Sequence, residues 1–418
     1  MLIIKDAQKK PGQEKKSVED AVRVILLNVK DQGDKAILDY TEKFDGFRPS
    51  CLSVSKEEIK AAYGKVTAET VENLKFSAER IRNFAEHQLS CLKELRYEIT
   101  PGIFLGHRII PIESCGCYVP AGRYPLPSSA LMSVIPAKVA GVKRIAACSP
   151  ASRGCGGIHP SVLVAMDIAG ADEVYCMGGA QAIGAYAFGT ETIKPVDIIV
   201  GPGNQYVTEA KRQISGRVGI DMLAGPSEVV IIADSTANPE WVAADALARC
   251  EHDPNSWTII VTTSRDIVPG ILNFIEKEAN VLPTAGIAMT SWKNNSKIIL
   301  ADNMDEAVDI TNDIAPEHLQ VMTENSGEVA KKLHNFGSLF VGHYAPVAFG
   351  DYVSGTNHIL PTSRCSRFSN GVCVGTFLKM CSVQEITKEG AQMLSPHCAY
   401  FAGVEGLFGH QHSAELRK

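Results

Sequence analysis

Apolar positions in the first hundred residues recur at helical spacing. Val71, Leu74, Ala78, Ile81 and Ala85 fall on one side of a 3.6-residue repeat, and Ala21, Val22, Ile25 and Val29 do the same within 17–30. Both stretches are expected to be helices packed on a core. Thr100-Pro101-Gly102 marks a turn, and Ile103-Phe104-Leu105 with His107-Arg108-Ile109-Ile110 reads as a hairpin beyond it.

From about Tyr118 the pattern changes. Apolar runs at 144–148, 173–176 and 197–200 alternate with helical stretches at 129–140, 159–169 and 180–187, the signature of a parallel sheet covered by helices. A second set opens at Glu228-Val229-Val230-Ile231-Ile232-Ala233-Asp234 and continues with a helix at 239–249, a strand at 257–261, a helix at 271–277 and strands at 298–300 and 338–341. The stretch from Cys373 onward reads as helix-rich and has too little apolar surface to fold alone, so it is expected to dock, on a partner subunit for instance. The expected fold class is α/β: two Rossmann-like parallel-sheet domains with an N-terminal helical region and a small helical C-terminal tail. The boundaries expected are 1–116 with 229–372 for the larger domain, 117–228 for the nucleotide-binding-like domain, and 373–418 for the tail.

Composition narrows the function classes. The 418 residues are 45% hydrophobic and 21% charged, with a formal charge of −6 and no long run of one sign, which argues against a nucleic-acid partner. No apolar run approaches the roughly 18 residues needed to cross a bilayer, and the N-terminus lacks a signal-peptide core, so the expected location is cytoplasmic, with no membrane partner. Twelve cysteines are scattered without a C-x-x-C pair; most are expected to be reduced, small, buried hydrophobes.

Candidate chemistry gathers in a few places. Gly350-Asp351-Tyr352-Val353-Ser354-Gly355-Thr356-Asn357-His358 packs a carboxylate, hydroxyls, an amide and an imidazole between glycines, and reads either as a turn-rich surface loop or as a loop where backbone approaches a ligand. Gly201-Pro202-Gly203-Asn204 and Gly178-Gly179-Ala180-Gln181 each follow a strand and precede a helix, where open α/β sheets bind ligands. Neither carries the G-x-G-x-x-G fingerprint, so a plain tight turn stays open. His252, Asp351 and His410 form an imidazole and carboxylate set of the type zinc takes, with no short spacing to show that they converge. Glu317-His318, after Ala315-Pro316, is expected at a helix start. It suits proton transfer, or else is a dipole-favoured carboxylate beside a half-buried histidine.

Taken together, five blocks resemble the histidinol dehydrogenase family over nearly the whole chain: Gly178–Ile183, Gly201–Asn204, Asp221–Glu228, Ile314–Leu319 and Gly350–Pro361. The resemblance implies a homodimer with shared active sites, a small-molecule substrate, NAD and zinc as cofactors, and oxidation of an amino alcohol to an amino acid through an aldehyde. It further implies NAD contacts at Tyr118, Gln181 and Asn204, substrate contacts at Ser227, His318, His358 and Glu405, and Glu317 with His318 as the catalytic pair. The family's four zinc ligands map to Arg249, His252, Asp351 and His410. Arg249 departs from the family's glutamine, and a guanidinium has no lone pair for a metal. Two alternatives remain open: zinc on His252, Asp351 and His410 alone, or a site without metal in which Arg249 recognises an anionic substrate group. Arg364–Asn370 and Val374–Lys379 look more like the family's paralogues, one of which resembles a sulfopropanediol dehydrogenase. The expected activity is NAD-dependent oxidation of L-histidinol, or of another small alcohol with an anionic group; a catalytically idle binding homologue is the alternative from another class.

Overall fold

The computed structural model describes residues 1–8, 15–121, 124–152 and 154–418. Strand β1 (Leu2–Lys5) is followed by four helices that run to Ser90, and β2 (Leu95–Thr100) and β3 (Ile103–Pro111) then form an antiparallel hairpin about Pro101-Gly102. The hairpin expected beyond that turn is thus one long strand, β3, whose partner lies before it, because the glycine at 106 lets β3 run on against β2.

A five-stranded parallel sheet comes next, from β4 (Ser114–Tyr118), β5 (Arg144–Ser149), β6 (Glu173–Cys176), β7 (Ile198–Val200) and β8 (Gly219–Ile220), in the order β6-β5-β4-β7-β8. Alternate residues of its central strands enter cores on opposite faces. Cys115, Cys117, Ile145 and Ala147 meet Leu74, Ala78 and Ile81 of the helix Ala68–Ser90, while Tyr118, Ala146 and Cys148 meet Val22, Ile25 and Val29 of the helix Lys15–Gln32. Burial on both faces is why these strands read as continuous apolar runs. Of the apolar residues expected to pack in the first helix, Ala21 is exposed. The N-terminal helices therefore pack on this sheet, while β1 joins the larger one.

The six-stranded sheet has the order β1-β11-β10-β9-β12-β13, from β9 (Glu228–Ala233), β10 (Trp257–Thr262), β11 (Lys297–Leu300), β12 (His318–Met322) and β13 (Ser338–Val341), parallel except for β1. Glu317-His318 does not open a helix. His318 is the first residue of β12, paired with Val229 and Ser338 between two strands, since the apolar Leu319, Val321 and Met322 are all needed in the sheet core. Asp351 lies near the end of a short helix, Val347–Tyr352, and not in an open loop. The glycines of that segment admit protein instead of a ligand: a side chain at Gly350 would meet the Phe340 ring, and one at Gly355 the Arg80 backbone.

The stretch from Cys373 is not purely helical. Strand β14 (Leu378–Ile386) adds to β3, giving a sheet β14-β3-β2, and the helices Lys388–Val404 and Phe408–Glu415 pack on each other beyond it. Tyr400, Phe401, Val404 and Phe408 on this arm are exposed.

Candidate active site

Topology brings two sheet edges together. In a parallel unit the helix runs back against its strands, so Arg249, in the last turn of the helix Pro239–Cys250, returns to the edge where β9 and β12 begin with Glu228 and His318. The segment 221–227 leads directly from the carboxyl end of β8 to that edge. Across the junction, Ser129 from the helix Pro127–Ala140 meets His358 Nε2 at 3.0 Å, and Asn357 Nδ2 donates to the Met132 carbonyl at 2.7 Å.

At this edge Glu317, His318, Arg249, Asp351 and Glu228 are all buried. Arg249 Nη2 donates to Asp351 Oδ2 at 2.9 Å and Nη1 to Ser227 Oγ at 2.8 Å; Ser227 Oγ in turn donates to Glu317 Oε2 at 2.7 Å, which also accepts from the Glu228 amide at 2.8 Å. His318 Nδ1 donates to the Glu228 carbonyl at 3.1 Å, and its Nε2 lies 3.3 Å from Asp351 Oδ1. Neither His318 Nε2, Asp351 Oδ1 nor Arg249 Nε has a hydrogen-bond partner within the described protein. His318 Nε2 and Asp351 Oδ1 face each other, whereas the buried Arg249 Nε faces no acceptor among the described residues, an arrangement that costs free energy unless a ligand or water completes it.

The charges shift one another. Burial opposes ionisation of Asp351, yet the guanidinium of Arg249 and then His318 hold its carboxyl well below the usual range. Burial would raise Glu317, but His318 and Arg249 outweigh it and keep it ionised. For His318, burial and Arg249 pull down while Glu317 and Asp351 push up, and the net direction is up. Glu228 is pushed up to about 8 by burial, against the Ser363 amide at 2.8 Å and with help from the Glu317 charge. Burial and then Arg249 lower His252 to about 4, so its imidazole is neutral. His358 is lowered by burial; its Nδ1 donates to the Asp351 carbonyl at 3.1 Å. Backbone strain gathers here as well: of the non-glycine residues at positive φ among the described residues, Ala315 precedes Pro316-Glu317, and Ser363 with Arg364 adjoins Glu228.

The remaining expected residues lie elsewhere. Tyr118, Gln181 and Asn204 sit at the carboxyl edge of the five-stranded sheet. The Tyr118 hydroxyl accepts from the Gly179 amide at 3.2 Å, Gln181 Oε1 is buried without a partner, and Asn204 Oδ1 caps the helix Gln205–Ile214 through the amides of Tyr206 and Val207. Lys211 and Asp221, both buried, form an ion pair of 2.7 Å, and Asp221 also accepts from the Gly201 amide at 2.8 Å. His252 lines a cavity of about 570 Å³ with Glu251, Tyr124 and Tyr352. Glu405 and His410 are exposed on the C-terminal arm, and none of the side-chain hydrogen bonds or ion pairs described here joins them to the cluster. Of the four positions mapped to zinc, Arg249 and Asp351 are in contact while no hydrogen bond or ion pair described here joins His410 to them, and among the described residues no group of three or more His, Cys, Asp or Glu could hold a metal ion. Ser129 and Glu228 were not singled out as site residues. Glu228 carried a signal, a carboxylate opening an otherwise apolar strand; Ser129 carried none.

Comparison with known proteins places the chain in a family. The family model for histidinol dehydrogenase matches residues 8–418. A histidinol dehydrogenase of Methanococcus maripaludis is 48% identical over 95% of this chain and 92% of its own length, and a histidinol dehydrogenase homolog of Shouchella clausii is 43% identical over 96% and 94%. The crystal structure of histidinol dehydrogenase from Elizabethkingia anophelis superposes with a TM-score of 0.93 at 39% identity, covering 98% of this chain and 94% of that one. This α/β chain with parallel sheets therefore belongs to the histidinol dehydrogenase family.

Proposed function

We propose that the chain is an NAD-dependent dehydrogenase of a small alcohol, with L-histidinol, oxidised to L-histidine through the aldehyde, as the first substrate to test. The observation that carries this reading is the buried pair Glu317 and His318, held by Ser227 and Glu228. A protein that only binds a ligand has no need of a buried imidazole set between ionised carboxylates. NAD, when bound, accepts the hydride.

In the first oxidation His318 Nε2 takes the hydroxyl proton as the carbinol hydrogen leaves as hydride, so alcohol and NAD give aldehyde, NADH and a proton. In the second, Glu317 takes a proton from water as the oxygen adds to the aldehyde, and a second hydride leaves to a second NAD. Ser227 and His358 orient the substrate. Tyr118, Gln181 and Asn204 contact NAD along the carboxyl edge of the five-stranded sheet, where Gln181 Oε1 awaits a donor. We take the two sheets as two Rossmann-like units, 117–228 carrying the nucleotide and 229–372 the reacting residues, in a cytoplasmic protein.

A homodimer completes this reading. The arm 373–418 exposes Tyr400, Phe401 and Phe408, with Glu405 and His410 beside them, and covering that surface with a second copy would bring both polar residues to the partner's cluster. A second substrate reading, a small alcohol with an anionic group, is favoured by the unpartnered Arg249 Nε. A panel of amino alcohols, diols and hydroxy acids followed by NADH absorbance tests both; no NADH from any of them refutes the dehydrogenase reading.

A further inference from the structure

The residues mapped to zinc do not fit a metal in this chain. Arg249 can give no lone pair, and its guanidinium already occupies Asp351 Oδ2 at 2.9 Å, with both side chains buried. A divalent cation brought to Asp351 would therefore face a permanent like charge in a medium that screens poorly. Arg249 also reaches the catalytic pair through Ser227, 2.8 Å from Nη1 and 2.7 Å from Glu317. Its Nε–H, buried, has no partner among the described residues.

We propose that Arg249 stands in place of a divalent cation, as a fixed organic cation that neutralises Asp351, orders Ser227 toward Glu317 and offers Nε–H to an oxygen of the substrate. The site then works without zinc. This rests on the reading of the cluster as the reacting centre, and it changes the substrate class. A metal ion accepts a lone pair from an amine or a hydroxyl, whereas a guanidinium only donates hydrogen bonds and repels an ammonium group. The favoured substrate is accordingly an alcohol whose neighbouring group is an oxygen acceptor, a hydroxyl, carboxylate or sulfonate, in preference to an amino alcohol.

The test starts without turnover. Full-length protein is stripped with a chelator, titrated calorimetrically with zinc alone, and its zinc counted by atomic emission; Arg249→Gln is treated identically, with circular dichroism to confirm folding. Losing one partner outside the ligand shell already weakens metal sites by roughly 10–100-fold, so exchanging a ligand for a cation predicts no tight zinc in the unmutated protein and binding tighter by on the order of a hundredfold or more in Arg249→Gln. Stoichiometric tight zinc in the unmutated protein overturns the proposal, and that measurement stands alone if Arg249→Gln misfolds. A folded Arg249→Gln with no gain in zinc affinity overturns it too. For the substrate class, kcat/KM of the unmutated protein should be higher for a diol or hydroxy acid than for the matching amino alcohol, and the reverse order overturns that part. Failure of the dehydrogenase reading would look different: no NADH from any alcohol, with the zinc result unchanged.

Discussion

Ser129 Oγ and His358 Nε2 lie 3.0 Å apart, one on a helix over the five-stranded sheet and the other in the segment that follows the six-stranded one. The histidine's other nitrogen is fixed on the Asp351 carbonyl at 3.1 Å, so the hydroxyl donates and the ring cannot turn freely. Ser129→Ala should lower stability by about 1 kcal/mol, the usual net value of such a bond. It should lower kcat/KM by a larger factor, because the ring proposed to meet substrate loses its second anchor. Denaturant titration beside kinetics checks this; an activity loss no greater than the stability change accounts for would count against His358 as a substrate contact.

The two residues proposed as the catalytic pair, Glu317 and His318, should separate kinetically. His318→Asn removes the base for the alcohol and should slow the first oxidation on the order of a hundredfold or more. Glu317→Gln should spare that step and slow aldehyde oxidation by a similar factor, since Ser227 and the Glu228 amide can still bond the amide oxygen. Presteady-state NADH formation from alcohol and from aldehyde distinguishes them, and equal small effects on both steps would remove the assignment.

Glu228 ties stability to pH. Its carboxyl titrates at about 8 in the folded chain against 4.5 unfolded, so between these values the unfolded chain has released a proton that the folded chain keeps. Stability therefore falls as pH rises through that window, and the loss is complete above about 8. Glu228→Gln, a permanently neutral mimic, should flatten the decline in Tm across it. A parallel slope in the variant would show that the carboxyl is ionised in the fold.

The arm should be dispensable for folding and necessary for activity. Truncation before Phe401 removes Glu405 and His410 and should abolish turnover while leaving the main thermal transition in place. Mixing truncated protein with Glu317→Gln chains should restore part of the activity, through sites that combine an intact arm with an intact pair. Verified heterodimers with no recovery would argue that each chain completes its own site.

Much of this architecture is legible in the chain because burial imposes simple periods. Leu74, Ala78 and Ile81 recur as a helix requires, and the run from Val229 to Ala233 is apolar on both faces because it is covered on both. His318 shows where such reading stops. Pro316 suggests a helix start, but β12 is short and its membership in the sheet is decided by β9 and β13 on either side, a relation between distant segments that no local pattern records. β14 was missed for the same reason: its partner β3 lies far away in sequence. For the site, Glu317, His318, Asp351 and His358 were legible through motif, and the structure does bring them together. Ser129 was not, since a serine in an apolar helix carries no sign of what will face it.

The buried pair of Lys211 and Asp221 has a mechanical consequence. Asp221 holds the Gly201 amide, Lys211 holds the Gly201 carbonyl, and the segment from Asp221 runs straight on to Ser227. The loop that precedes the helix Gln205–Ile214 is thereby tied to the start of the segment that leads to the serine facing Glu317. In the proposed dehydrogenase, where a misplacement of about 1 Å can cost a hundredfold in rate, such a tie would hold the nucleotide loop in position relative to the reacting residues before either reactant arrives. The Gly201 and Met222 amides should accordingly exchange with deuterium as slowly as those of the sheet strands around them, although both lie in loops.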